Sequence, residues 1–310
     1  MTLEQLKIFV EVAERGHVTR AAAALGLSQS AVSSAIAALE GKYEVRLFDR
    51  VGRGIRVTAN GKVFLREARA VLNRATMAKS ILRDLAGHSG PIAIGASQTI
   101  AAHWLPRRLA SFNATNPQVR FDVVIGNTHD IETAVVEGRV NIGLIEGPTQ
   151  HPALVRRHID YDQLVLVVAS DQPSPVDVSG RLDLRTVKWV IREPGSGTRR
   201  GLEDLAMLEG LSLDDLSISL VLPANEAVRE AIEAGAGATI ISRHVVASAI
   251  EEGRLREIPV NLPKREYALV LHRERHITAV VQDVVDRLLG SASEKNDRQS
   301  VRPLVNKPTP

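Results

Sequence analysis

His17-Val18-Thr19-Arg20-Ala21-Ala22-Ala23-Ala24-Leu25-Gly26-Leu27-Ser28-Gln29-Ser30-Ala31-Val32-Ser33-Ser34-Ala35-Ile36-Ala37-Ala38-Leu39-Glu40 opens a stretch that runs to Thr58. Two helical patterns meet across Leu25-Gly26-Leu27. Thr19 is placed to cap the first helix and Ser28 the second, each through its hydroxyl. This is helix-turn-helix spacing. Val32, Ile36 and Leu39 recur at i, i+4, i+7, which turns them inward. Gln29, Ser30, Ser33, Ser34 and Ala37 fall on the opposite face, small and polar enough to enter a major groove. Gln29 is suited to an adenine edge. The competing reading is a helical hairpin with a solvated serine face.

Upstream, residues 3–15 place Leu6, Phe9, Val10 and Ala13 on one face, with Gly16 as the stop. Downstream, Arg46–Arg50 and Ile55–Thr58 alternate like strands around Val51-Gly52-Arg53-Gly54, so a hairpin wing is expected. Arg50, Arg53 and Arg56 would then meet phosphates or a minor groove, with Thr58 nearby. Charge supports this. Residues 1–90 carry 14 Lys/Arg and 8 Asp/Glu, whereas residues 91–310 carry 25 and 28, so a net +3 hides a basic head on a mildly acidic body.

Residues 59–87 read as one long helix. Phe64, Ala68, Val71, Ala75, Ala78, Leu82 and Leu85 are spaced 4, 3, 4, 3, 4, 3, a heptad seam. The seam serves either a partner helix, giving a dimer with two recognition helices, or the helix's own domain. A hinge at Gly87–Pro91 ends it. Beyond Pro91, strands expected at 92–95, 119–126, 140–146, 163–169, 187–192, 218–222, 239–241 and 267–271 alternate with helices. That pattern predicts α/β units around mainly parallel sheets. Ser291–Pro310 is polar and charged, and is expected to be a disordered tail.

Three strand-to-helix junctions share one chemistry: Gly95-Ala96-Ser97-Gln98-Thr99, Glu193-Pro194-Gly195-Ser196-Gly197-Thr198 and Pro223-Ala224-Asn225-Glu226. Each sets small or hydroxyl-bearing residues at a helix N-terminus, where free N–H groups and the dipole favour an anion. Should they converge, Ser97, Thr99, Ser196, Gly197 and Thr198 would hold a small oxyanion or carboxylate without a buried lysine. Otherwise they are ordinary caps. Glu146 ends a strand and is either a cleft-facing acceptor for a ligand hydroxyl or a surface carboxylate. Arg192 and Arg199 flank the glycine loop and either add charge or face solvent. The loop lacks the third glycine of a dinucleotide fingerprint, and Pro194 breaks a nucleophile elbow. The nine histidines show no metal-ligand spacing, so neither a metal nor a cofactor is expected, and no catalytic constellation passes on spacing.

Composition adds bounds. The chain has 310 residues, 44% hydrophobic and 24% charged, an ordinary globular balance with room for two or three domains. Aromatics are 3%, too few for extensive base stacking. Cysteine is absent, and no apolar run reaches membrane-spanning length, so a soluble cytoplasmic protein without a membrane role is expected.

Together these segments resemble the LysR-type transcriptional regulators. The match is most specific in Thr19–Ala22, Leu27–Ser33, Leu47–Arg50 and Thr58-Ala59-Asn60-Gly61. The resemblance implies an α+β multidomain fold. Residues 1–58 would be a winged helix-turn-helix that binds double-stranded DNA, and 59–90 a dimerising linker helix and hinge. The effector domain would be two-lobed and similar to periplasmic binding proteins, with lobe I at 91–162 completed by 267–290 and lobe II at 163–266. A homotetramer is also implied. Within the effector domain, Ile94–Ile100, Val124–Thr128, Leu144–Pro148 and Arg192–Arg199 are similar to regulators of carbon-fixation operons and of sulfite or sulfur metabolism. That implies a small anionic effector near Ser97, Gln98, Thr99, Asn127, Thr128, Glu146, Gly195, Ser196, Gly197, Thr198 and Asn225. Ser34 stands where many relatives carry Arg, so direct base readout is expected to be sparse.

Overall fold

The computed structural model describes residues 1–52, 54–85, 90–149, 151–176 and 182–300. The chain divides into two compact units near residue 88.

The first unit contains α1 (Leu3–Arg15), α2 (Val18–Leu25), α3 (Gln29–Tyr43), the hairpin β1 (Phe48–Val51) and β2 (Gly54–Val57), and α4 (Ala59–Leu85). Thr2 and Gln5 form a capping box on α1, and Gly16 ends it in the left-handed conformation, φ 60°. Leu6, Phe9 and Val12 from α1, Val32, Ile36 and Leu39 from α3, and Phe48 and Ala68 form one core. The wing is held to it by Glu40, whose carboxylate accepts from the amides of Leu47 (2.6 Å) and Phe48 (3.1 Å).

The heptad seam splits. Phe64 and Ala68 pack into this unit's own core, while Val71 and Leu82 stay 43% and 67% exposed. Only the C-terminal part of the seam is left open to a partner. Thr58 starts α4: its hydroxyl donates to Arg46 O (2.9 Å) and accepts from Gly61 N (2.9 Å).

The second unit has two lobes. Lobe I is a five-stranded sheet of β3 (Ile92–Ser97), β4 (Phe121–Gly126), β5 (Ile142–Glu146), β6 (Leu154–Asp162) and β12 (Arg265–His272), in the order β4-β3-β5-β12-β6. A π-helical turn at Ile100–Trp104 leads into α5 (Leu105–Thr115), which covers one face with α10 (Ala279–Ser300). α6 (Thr128–Glu137) covers the other. Lobe II holds β7 (Leu164–Ala169), β8 (Lys188–Arg192), β9 (Ser217–Leu222), β10 (Ala238–Ser242) and β11 (Leu255–Ile258), in the order β11-β7-β10-β8-β9. α7 (Gly197–Leu208) packs on one side, α8 (Asn225–Glu233) and α9 (Arg243–Glu251) on the other.

Three expectations need correction. The sheets are mixed rather than mainly parallel: β3 pairs in parallel with β4 and β5, but β12 runs antiparallel to β5 and β6. Lobe II repeats this, with β10 parallel to β8 but antiparallel to β7. The cause is the connection, because the chain leaves lobe I after Asp162 and returns at Arg265 from the opposite direction. Two strands, β6 and β11, were not expected. Their arginines, His158 and acidic residues read as loop, which is how edge strands are kept from pairing with other chains. Finally, the tail does not begin at 291, because α10 continues to Ser300; residues 301–310 lie outside the described residues. No single helix among the described residues is long and apolar enough to cross a membrane.

Gly61 sits where α4 meets the wing. A Cβ there would lie 2.2 Å from Leu47 O and 2.7 Å from a Val57 methyl. Backbone cannot yield as a side chain tip does, so Gly61→Ala should destabilise the first unit by about 2 kcal/mol or more. Urea unfolding followed by circular dichroism would measure it; a change below about 0.5 kcal/mol would contradict this packing.

Candidate functional site

The helix-turn-helix face matches its sequence reading in exposure. Gln29, Ser30, Ser33 and Ser34 are all exposed on α3. Ser28 is the N-cap, accepting from Ala31 N at 3.1 Å, and its hydroxyl lies 3.0 Å from that of Ser30. Thr19 does not cap α2. His17 holds that position without a side-chain bond, and Thr19 Oγ1 donates to Gln29 Oε1 at 3.2 Å. The Thr19 hydroxyl therefore orients the longest polar side chain in the first turns of α3. Thr58 is committed to starting α4 and is not free for DNA.

The wing arginines do not act as one group. Arg50 pairs in register with Ile55, and Arg56 with Asp49. Alternation along a strand then puts Arg50 and Arg56 on opposite faces of the hairpin. Both are exposed. Arg53 lies outside the described residues.

In the second unit the three junctions do converge, at the edge where parallel strands end. Ser97 ends β3, Glu146 ends β5, Arg192 ends β8 and Ser242 ends β10. Only one junction is spent on capping: Ser196 Oγ accepts from Thr198 N at 3.2 Å. The N-caps at Thr99 and Ala224 make no side-chain cap bond. The side chains of Thr99 and Asn225 instead meet each other: Asn225 Nδ2 donates to Thr99 Oγ1 at 3.0 Å across the lobes.

The remaining contacts lie along the cleft, and all but that of Thr128 link the lobes. Gln98 clasps lobe II through Pro223 O and Asn225 N, both at 3.0 Å. Asn127 caps α6 and also donates to Glu193 Oε1 at 3.2 Å. Thr128 Oγ1 donates to Glu146 O at 3.3 Å. Gly195 O accepts from His129 N at 3.3 Å. Gly197 is where the lobes come closest, since a Cβ would lie 2.7 Å from Glu146 Cβ. Beside this point a cavity of about 510 Å³ opens between Thr128, His129 and Glu132 of lobe I and Ser196, Arg200 and Glu203 of lobe II.

Glu146 faces the cleft and is buried, not a surface carboxylate. Its Oε1 accepts from Ser97 Oγ at 3.0 Å and its Oε2 from Arg265 Nη1 at 2.7 Å. Arg265 Nη1 also donates to Thr198 Oγ1 at 3.1 Å. The rest of that guanidinium grips Asp162, which accepts from Ser242 Oγ at 2.8 Å. Arg192 is buried too. It bonds Glu193 at 2.7 and 2.9 Å and reaches Asn225 Oδ1. Burial pushes the Glu193 carboxyl up, but bonds from Arg192, the backbone and Asn127 outweigh it and hold it below its ordinary range. Burial lowers the Arg265 pKa, and Glu146 and Asp162 more than reverse this.

Sequence reasoning did not find Arg265, Asp162, Ser242 or Tyr267. The expected strand began at Tyr267, two residues late, so Arg265 read as loop. Asp162 ends a strand that was not expected. An arginine opening an otherwise aliphatic strand, Arg265-Glu266-Tyr267-Ala268-Leu269-Val270-Leu271, was the available signal. Arg199 faces Glu203 (2.7 Å) and Arg192 O rather than the cleft. Among the described residues no group of three or more His, Asp or Glu is placed to hold a metal.

Comparison with known proteins follows this division. Residues 3–62 match the family described as "Bacterial regulatory helix-turn-helix protein, lysR family". Residues 85–293 match "LysR substrate binding domain". The chain is 34% identical to the HTH-type transcriptional regulator YeiE of Escherichia coli over 92% of this chain and 96% of that one. It is 30% identical to the regulator CbbR of Rhodospirillum rubrum over 94% and 96%. Among solved structures it resembles CbnR, a LysR family regulator, with a TM-score of 0.69, 23% identity and coverage of 94% and 99%. The regulatory domain of Synechocystis CcmR in complex with 2-PG gives 0.58 and 21% over 66% of this chain and 98% of that domain.

Removing the Arg265 guanidinium would strand Glu146 and Asp162, both buried, without their cation. Arg265→Met should cost the second unit about 3–5 kcal/mol, the usual penalty for breaking one side of a buried pair. Chemical denaturation would read it; a loss under about 1 kcal/mol would mean the carboxylates find other partners.

Proposed function

Because the chain belongs to the LysR family of transcriptional regulators, we propose that a small anion seated between lobes I and II switches its binding to DNA in the cytoplasm. A LysR regulator binds DNA, takes a small-molecule effector and oligomerises; it is not an enzyme. The observation that carries the anionic reading is the meeting of neutral polar side chains from both lobes. Ser97 and Thr99 of lobe I and Thr198 and Asn225 of lobe II are each no more than 3% exposed. They gather near the N-terminus of α7, where the helix dipole favours negative charge.

Charge balance narrows the reading. The two buried guanidiniums, Arg192 and Arg265, already answer three carboxylates, Glu146, Asp162 and Glu193. An incoming anion is therefore held by hydroxyls, amides and dipoles, which suits a small oxyanion such as sulfite or sulfate or the phosphate of a metabolite. CcmR, solved with 2-PG, offers a parallel for the latter. An organic carboxylate is the alternative within the same site. Neither a metal nor an organic cofactor is needed.

The effector acts only through its different affinity for open and closed lobes. Closure stabilised by contacts to both lobes would alter subunit packing in the oligomer, and so the spacing of its DNA-binding heads. A dimer through the exposed part of the α4 seam and a tetramer of such dimers fit this reading.

Ser97→Ala with Thr198→Ala should abolish thermal stabilisation by sulfite, sulfate or sugar phosphates while leaving basal DNA binding. Calorimetry showing unchanged anion affinity would remove this seat from consideration. At the other unit, Arg50→Ala should weaken binding about equally across DNA sequences and lower the salt slope by about 1. A loss confined to one base position, seen by fluorescence anisotropy on substituted operators, would contradict a phosphate contact.

A further inference from the structure

One polar group in the cleft cluster lacks a well-formed hydrogen bond. The hydroxyl of Tyr267 has none of ordinary geometry, although the residue is 1% exposed and the Asp162 carboxylate lies near it. Buried polar groups are nearly always bonded, so each exception asks for an explanation. Burial, and then Asp162, push this phenol well above its ordinary pKa, so it stays a donor at any working pH.

Its surroundings say what it would donate to. Arg265 and Tyr267 lie two apart on β12 and so share a face. Tyr267 is in register with Glu146 on β5, and Arg265 with Asp162 on β6. Asp162 already accepts from Ser242 and Arg265, and Glu146 from Ser97 and Arg265. The place beside Tyr267 is therefore flanked by two carboxylates. A second anionic group would be repelled there. A hydroxyl is suited to it, because it accepts from the phenol and donates to a carboxylate, whose oxygens keep spare lone pairs. The position also adjoins the anion seat: the guanidinium that grips Asp162 touches Thr198 with its other end.

We propose that Tyr267, with Asp162 and Glu146, forms a hydroxyl-recognising subsite, so that the effector is a hydroxylated organic anion and not a bare inorganic oxyanion. This rests on the anion seat proposed above and decides among its candidate ligands. Tyr267 acts as a specificity residue. Ligands without the hydroxyl leave the phenol unserved, and sites built to bond a hydroxyl reject analogues that lack it.

The test uses the full-length protein and ligands matched in their anionic group: glycerol 3-phosphate against propyl phosphate, glycerate against propionate, and sulfate and sulfite alone. Calorimetry should show the hydroxylated member of at least one pair binding about tenfold tighter or better, the value of one good hydrogen bond. Tyr267→Phe keeps the ring, should erase that difference, and should leave the unliganded melting temperature unchanged or raised. Equal binding within both pairs overturns the proposal on the wild-type protein alone. So does a preference that survives in Tyr267→Phe, or a variant whose unliganded stability falls while its preference stays, which would make the hydroxyl a structural partner of Asp162. Sulfate or sulfite binding as tightly as the hydroxylated ligands overturns the subsite but keeps the anion seat. Failure of all six ligands to bind removes both.

Discussion

Arg265 holds the effector unit together. It opens the strand on which the chain returns to lobe I, and its donors reach Asp162 and Glu146 in that lobe and Thr198 in the other. A guanidinium this deeply buried is tolerable only when nearly every N–H is matched, because the desolvation of an ion exceeds what any single pairing returns. The match is supplied by backbone register. Asp162 is the β6 residue opposite Arg265, and Glu146 is the β5 residue opposite Tyr267. Lobe geometry, hinge position and cleft chemistry thus meet at one side chain.

That arrangement leaves the cleft crowded with charge, with both of its buried guanidiniums already paired to carboxylates. On the proposed reading, binding there would depend on placement: hydroxyls and amides from two lobes, a helix N-terminus, and glycine where the lobes touch. Gly197 permits this approach, since any side chain at that position would strike Glu146. Under the proposed function, contacts a ligand makes to both lobes would be lost on opening, and that difference would be the free energy available to move the oligomer.

In the DNA-binding unit the same economy appears. Glu40, Thr58 and Ser28, all polar and all close to the DNA-facing elements, are used to fasten the wing, start α4 and cap α3. The polar side chains left exposed on these elements are few, with Gln29 oriented by Thr19, the serines of α3, and Arg50 and Arg56 on opposite faces of the wing. A surface of this kind positions a dimer on the duplex as much as it reads bases, since phosphate contacts carry no sequence information.

Local patterning was enough for the helix-turn-helix, the wing, the long helix and the alternation of α/β units. Periodicity, caps and turns act over a few residues and leave their mark in the order of the chain. It was enough, too, for the three strand-to-helix junctions, because helix N-termini have a short-range signature. It was not enough for Arg265, Asp162 or Tyr267, whose meeting spans more than a hundred residues, nor for the antiparallel return of β12. Charged edge strands such as β6 hid their secondary structure, because alternation weakens where one side faces water. Which hydroxyls cap and which face a ligand was likewise settled only by folding. Thr58 and Ser28 look no different in sequence from Thr99 and Thr198, and only the approach of two lobes separates those that close a helix from those that bond across the cleft.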